Sequence, residues 1–82
     1  MTRTVQFLPA ALRDFDALDR LVQVRVTAAL ERLASAGHGD VKKLQGRPHE
    51  FRLRVDKWRV FFVLDTPGTI LVTGIDNRGQ AY

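Results

Sequence analysis

Two neighbouring segments decide the fold: Phe51-Arg52-Leu53-Arg54-Val55 and, after Asp56-Lys57, Trp58-Arg59-Val60-Phe61-Phe62-Val63-Leu64. Side chains of an extended strand alternate between two faces, so the apolar residues of the first segment point one way and Arg52 and Arg54 point the other. A hairpin through Asp56-Lys57 places Arg59 beside them on the next strand. The pattern predicts a sheet with a fixed cationic face, which is typical of proteins that bind phosphate-rich ligands.

Two helices are expected before these strands. A short strand over residues 3–8 leads into Pro9, and proline is well tolerated in the first turn of a helix. The helix that starts there extends to about residue 18. Asp19 can cap a second helix with one apolar stripe, and Gly37 follows its last periodic residue, where helices commonly end. Two amphipathic helices in tandem predict a helical hairpin packed on a sheet.

The sheet is predicted from three segments in the second half of the chain, at residues 50–55, 58–64 and 69–75. The segment at 58–64 is apolar on both faces apart from Arg59, which indicates a central strand. Residues 40–49 are left as a basic connector without an assigned conformation. The order β-α-α-β-β-β predicts an α+β fold, with the helices on one face of the sheet and the arginines on the opposite face.

Composition narrows the class of protein. A chain of 82 residues with 45% apolar content predicts one domain, residues 1–82, with a modest core. There is no cysteine, and His38 and His49 stand apart, so we expect neither disulfides nor a structural zinc site. No run approaches the roughly 18 apolar residues of a membrane span, and no signal-peptide stretch opens the chain. We therefore expect a cytoplasmic protein without a membrane partner.

The positive charge is unevenly distributed. Residues 1–41 contain five arginines and five carboxylates, whereas the chain from Lys42 onward contains eight basic residues and four acidic ones. The whole formal charge of +4 therefore belongs to the second half. This asymmetry favours an anionic partner for that half over a merely basic surface, which is the alternative explanation.

The chain resembles the RelE/ParE superfamily of toxins from type II toxin–antitoxin modules. The resemblance rests on the order and spacing of several segments: the helix start Pro9-Ala10-Ala11-Leu12-Arg13-Asp14, then Val41-Lys42-Lys43-Leu44-Gln45-Gly46, the two strands quoted above, and Arg78-Gly79-Gln80-Ala81-Tyr82. It implies a twisted antiparallel sheet backed by a helical hairpin. Since many RelE-like members are ribosome-dependent endoribonucleases that cut mRNA, it also implies that activity, without a cofactor.

The resemblance also implies the site. The matching active positions are Arg52, Arg54, Arg59, Arg78 and Tyr82. We expect Arg59 to clamp the scissile phosphate, because a planar guanidinium on a strand can hold two oxygens. Arg52 and Arg54 stand where the family often has lysines; since arginine keeps its proton, their role is electrostatic. Solvated strand positions are the alternative explanation for both.

The proton-transfer roles fall to other residues. A phenol among guanidinium groups ionises more readily, so Tyr82 is the candidate base, or else it stacks on a nucleobase. Arg78 stabilises the phosphate, and Asp76 either orients it or belongs to a turn. Histidine titrates near neutral pH, which makes His49 a secondary acid/base candidate. Together with His49, the residues expected to contact RNA or the ribosome are Lys42, Lys43 and Arg47.

Two other functions stay open. ParE-like toxins share the fold but inhibit DNA gyrase and generally lack the catalytic set. A catalytically inactive module that binds an antitoxin or nucleic acid is the second alternative. The expected partners are a cognate antitoxin, the ribosome and mRNA, with operator DNA bound only through the antitoxin complex.

Overall fold

Two helices and five strands make up residues 2–47, 49–64 and 66–77, the part of the chain that the computed structural model describes. In chain order they are β1 (Thr4–Phe7), α1 (Pro9–Asp16), α2 (Arg20–Ala36), β2 (Asp40–Lys43), β3 (Glu50–Val55), β4 (Trp58–Val63) and β5 (Thr69–Asn77). The predicted α+β class is confirmed. The predicted helices and the three predicted C-terminal strands are all present, with ends that differ by a few residues.

The strands form one sheet in the order β1-β5-β4-β3-β2, so β4 is central, as its sequence predicted. The structure adds one strand to the expected order and differs from it in one strand direction. The connector at residues 40–49 contains β2, which pairs antiparallel with β3 at the edge of the sheet. The sheet is also mixed, because β1 lies parallel to β5, whereas the other neighbours are antiparallel. Strands β2 to β5 are joined in sequence by hairpins, and β1 pairs with the remaining edge of β5.

Local signals set the ends of the helices. Pro9 is the first residue of α1, and Gly37 ends α2 in the left-handed conformation at φ 70°, with its N–H donating to the Leu33 carbonyl. Asp19 occupies the N-cap of α2, but its carboxylate makes no capping hydrogen bond, contrary to expectation. Its carbonyl instead accepts the Gln23 N–H. Neither of these two described helices is long and apolar enough to cross a membrane.

The core lies between the helices and one face of the sheet. The stripe of α2 buries Val26, Leu30 and Leu33 in one cluster with side chains of β3, β4 and β5. The sheet side chains that complete this core are Leu53, Val60, Phe62, Ile70, Val72 and Ile75. Each large apolar side chain buried in this way contributes about 1.5–3 kcal/mol. Since Leu53 of β3 and Val60 and Phe62 of β4 face the helices, the residues that alternate with them project from the opposite face.

The β3–β4 hairpin turns at Asp56-Lys57, as predicted. Asp56 has a positive φ of 54°, and its carboxylate pairs with Arg25 of α2 at 2.7 Å. Both side chains are more than half exposed, so the pair stabilises the fold by less than about 1 kcal/mol. It nevertheless ties the hairpin tip to the helical layer, away from the opposite face of the sheet.

Candidate functional site

Strand register brings the basic residues into two rows across the helix-free face of the sheet. The first row runs from β2 to β5 through Lys42, Arg52, Phe61 and Gly74. The second row runs through Asp40, Arg54, Arg59 and Asp76. Neighbouring strands lie about 4.8 Å apart, so side chains in a row are close neighbours. The predicted cationic face is therefore present.

A groove of about 430 Å³ opens on this face, and we call it the sheet-face groove. Its lining residues are Lys42, Lys43, Leu44, Gln45, Arg52, Arg59 and Phe61. Four of the seven are basic, and no carboxylate is among these lining residues. A groove with this balance of charge attracts anions.

Arg59 is the most constrained cation of the groove. Its side chain is only 19% exposed, and its Nη2 donates to Asp76 Oδ2 at 3.0 Å. The guanidinium carbon lies over the Phe61 ring, 5.7 Å from the ring centroid. An ion pair on one side and an aromatic ring on another fix the guanidinium in place, and a preorganised cation loses little entropy when it binds an anion.

Two buried donors add to the positive character of the site. The Nε atoms of Arg52 and Arg59 are shielded from solvent and have no hydrogen-bond partner among the residues that the structure describes. A buried donor without a partner costs about 1–3 kcal/mol, and more in a charged group. This part of the molecule thus keeps two guanidinium groups under-satisfied, a state that an incoming phosphate oxygen can relieve if it reaches these donors.

The groove gathers only some of the predicted residues. Lys42, Arg52 and Arg59 lie together, with Lys43 also at its border, although Lys43 pairs with Phe51 and so lies on the other face of β2. Arg54 stands opposite Arg59 on β3 but is exposed and outside the lining.

The β2–β3 connection holds two of the other predicted contacts. Arg47 lies 3.9 Å from the Glu50 carboxylate, and His49 takes a positive φ of 67°. Neither lines the groove. Arg78 and Tyr82 lie outside the described residues, so their predicted places in the site stay predictions.

Two residues of the site were missed. Asp76 was expected to orient Arg78 or to belong to a turn, but its carboxylate accepts a hydrogen bond from Arg59. Phe61 was counted as part of an apolar strand, yet it lines the groove. The signal for Phe61 was available: it follows Arg59 by two residues and therefore shares its face. The partner of Arg59 was harder to find, because it requires the register between β4 and β5.

Comparisons with known proteins bear on this geometry. The family model of the ParE toxin of the type II toxin-antitoxin system, parDE, matches residues 5–82. No protein of curated function matches the chain.

Solved structures share the fold. The chain is similar to one from the archaeal RelE–RelB complex of Pyrococcus horikoshii OT3, with a TM-score of 0.80, 21% identity, and 98% of this chain and 99% of that chain covered. It is also similar to a chain of the RelBE2 toxin–antitoxin complex of Mycobacterium tuberculosis, with a TM-score of 0.79 and 24% identity, and the match covers 95% of this chain and 100% of that chain. A mutant of E. coli toxin RelE in the free state matches with a TM-score of 0.78 and 20% identity, and the match covers 99% of this chain and 87% of that chain.

These identities are low enough that the structural likeness establishes the fold alone, whereas the family model establishes membership because it spans nearly the whole chain. The chain therefore belongs to the ParE toxin family and is a toxin of a type II toxin–antitoxin system within the RelE/ParE superfamily.

Proposed function

We propose that this toxin is a ribosome-dependent endoribonuclease that cleaves mRNA and so inhibits translation. The observation that supports it best is the convergence of Arg52, Arg59 and Lys42 in the sheet-face groove, with buried guanidinium donors that have no partner within the described part of the chain. Such a groove suits a phosphodiester, whose charge grows as the reaction proceeds. The similarity in fold to RelE toxins supports the same proposal.

The proposed reaction is a transesterification that needs no metal. The 2′-oxygen of one nucleotide attacks the adjacent phosphorus, and the bond from phosphorus to the 5′-oxygen of the next nucleotide breaks. The products are a 2′,3′-cyclic phosphate and a 5′-hydroxyl. A base must take the proton of the 2′-hydroxyl, and an acid must supply one to the leaving 5′-oxygen.

In this mechanism Arg59 and Arg52 stabilise the phosphate as its negative charge builds. Neither guanidinium can act as the base, because arginine stays protonated. We assign proton abstraction to Tyr82, with Arg78 as a second phosphate stabiliser and His49 as a secondary acid/base candidate. Arg54, outside the groove lining, supports the site through its charge.

The proposed partners follow from charge and from the complexes that share the fold. A cognate antitoxin with an acidic or amphipathic segment would cover the basic face and the exposed apolar residues of the helices, such as Leu21 and Val24. RelE–RelB complexes are among the similar structures. Operator DNA would be bound only through that complex. The free toxin, one domain over residues 1–82, would act in the cytoplasm and contact RNA or the ribosome through Lys42, Lys43 and Arg47.

A second function is favoured by a different observation. The matching family model is that of ParE toxins, and the Asp76 carboxylate partly neutralises Arg59. Both suit a toxin that inhibits DNA gyrase without cleaving RNA. A catalytically inactive module that binds an antitoxin or nucleic acid is the third possibility.

The deciding experiment is primer extension on a translated mRNA in a cell-free system, with and without ribosomes. We expect cuts only on ribosome-bound message and a loss of about 10²–10³ in cleavage rate for Arg59→Ala. Arg32→Ala, an equal change of charge at an exposed position of α2, is the matched control and should cleave normally.

Intact message, together with inhibition of gyrase supercoiling that survives Arg59→Ala, would replace the ribonuclease with the gyrase inhibitor. Inactivity in both assays, in a chain that still binds RNA or antitoxin, would support the inactive module.

A further inference from the structure

Phe61 is an aromatic side chain on the cationic face of the sheet, and it remains unused in the reaction described above. The ring is half-buried and lines the sheet-face groove beside Arg52, its direct neighbour on β3. The Arg59 guanidinium carbon lies over the ring. An aromatic residue among phosphate-binding cations is the arrangement with which single-stranded nucleic acids are commonly held.

In the part of the chain that the structure describes, the flank of Phe61 toward β5 is open. Its neighbour across that strand pair is Gly74, which has no side chain to cover the ring. A Cβ atom at Gly74 would meet only Asp14 Oδ2, at 3.8 Å, so the position is not filled by another part of the described chain. The β4–β5 pairing is irregular at this point, with a register shift between Phe61 and Phe62. Irregularities of this kind occur often beside functional sites, where they re-aim side chains.

We propose that Phe61, together with the guanidinium of Arg59, forms a stacking subsite for one nucleobase of bound RNA. The ligand is a single-stranded ribonucleotide segment whose phosphate lies on Arg52 and Arg59 and whose base lies toward Gly74. This inference rests on the proposed function for the identity of the ligand as RNA. It assigns Phe61 a binding role and gives it no part in proton transfer.

The geometry separates this role from simple packing. Two of the core-facing aromatics of the sheet, Phe51 and Phe62, stack on each other with ring centroids 5.5 Å apart. Phe61 points to the other face, where the Arg59 guanidinium lies over its ring. Every base has a π-face, so stacking here adds affinity with little sequence preference, whereas the cations supply the salt-dependent part of binding.

The test compares two probes for the purified toxin by fluorescence anisotropy. One is a short single-stranded 2′-O-methyl RNA, which lacks the attacking hydroxyl and is not cleaved. The other is an abasic oligonucleotide of the same length and charge. We expect the wild-type chain to bind the base-bearing probe more tightly by at least about fivefold, the lower end of one stacked base. Phe61→Leu should remove that preference and leave the salt dependence of both probes unchanged.

Three variants make the result specific. Phe61→Tyr keeps a ring and should retain the preference for the base-bearing probe. Gly74→Val fills the open flank while residue 61 stays phenylalanine, and it should reduce the preference, which tests the subsite independently if Phe61→Leu fails to fold. Phe51→Leu removes an aromatic from the opposite face, so it should alter stability but not the preference.

The proposal is overturned if the wild-type chain shows no preference for the base-bearing probe, or if Phe61→Leu weakens both probes equally. Failure of the proposed function has a different signature. A base preference that depends on Phe61, found in a chain that does not cleave ribosome-bound mRNA, would retain the subsite and reject the ribonuclease.

Discussion

The Asp14 carboxylate of α1 accepts a hydrogen bond from the backbone N–H of Ile75 in β5, at 3.1 Å. This contact occurs where β5 loses its neighbour, because β1 ends at Phe7, which pairs with Val72. Beyond that point the outer edge of β5 would leave its backbone donors without a strand partner. Asp14 thus closes the edge of β5 one residue before Asp76, the ion-pair partner of Arg59.

Asp14→Ala should therefore destabilise the fold by about 1–3 kcal/mol, because a part-buried N–H loses its charged acceptor. Asp14→Asn keeps an oxygen at that position and should cost less. Urea unfolding monitored by circular dichroism measures both variants. Asp16→Ala, an exposed acid on the same helix, is the control and should change stability by less than about 0.5 kcal/mol. Equal effects at the two positions would contradict the role given to Asp14.

Arg52 and Arg54 lie two residues apart on β3 and share a face of the sheet, but they differ in burial. Arg52 is half-buried in the groove, and its Nε has no partner in residues 2–47, 49–64 and 66–77, whereas Arg54 is exposed and outside the lining. We expect Arg52→Ala to slow mRNA cleavage by about 10²-fold or more and Arg54→Ala by about fivefold or less. Single-turnover cleavage on programmed ribosomes measures both. Lys57→Ala, in the β3–β4 turn, is the charge-matched control, and equal losses for both arginines would disprove this distinction.

Asp76 holds Arg59 but also places a negative charge beside the groove. Asp76→Asn removes that charge, so RNA should bind more tightly at low salt, by up to about fivefold, and the gain should fade as salt is added. The cleavage rate at saturating ribosomes should fall, because Arg59 loses the ion pair that orients it. Titration of RNA at two ionic strengths, combined with cleavage rates, separates the two effects. Weaker binding at low salt would show that Asp76 mainly holds the sheet together.

His49 has a left-handed backbone conformation, which asparagine adopts readily. His49→Asn should therefore leave the free energy of unfolding within about 0.5 kcal/mol of wild type. Since His49 does not line the groove, cleavage should also stay close to the wild-type rate. A loss of about 10²-fold at unchanged stability would instead identify the imidazole as an acid or base. His49→Val, which tolerates this conformation poorly, should destabilise by about 1–2 kcal/mol.

The two strands that matter most for the site, β3 and β4, were predictable from sequence, each from a different signal. In β3 the alternation fixed the faces of Arg52 and Leu53, and in β4 a single arginine in an apolar segment indicated a central strand. Strand β2 was not predictable in this way. Its sequence Asp40-Val41-Lys42-Lys43 holds one apolar residue, all four residues are exposed, and it is a strand because β3 offers it a partner.

The details of the site depended on information that a linear pattern does not contain. The ion pair of Arg59 with Asp76 joins residues on neighbouring strands, and their alignment includes the register shift beside Phe61. The place of β1 likewise depends on the free edge of β5, which exists only once β3, β4 and β5 have paired. Charge type and strand face could be inferred from sequence, whereas partners across the sheet could not.

The pairing of β1 with β5 also orders events during synthesis. Thr4 and Thr69 are neighbours in the sheet although roughly 65 residues separate them, whereas the remaining strand pairs join segments that are close along the chain. Contacts between distant segments form late, because a large loop must close first. A nascent chain that has been made only through β4 has no partner for its first strand and no Asp76 to hold Arg59. Strand β1 can therefore pair into the sheet only after β5 has been synthesised.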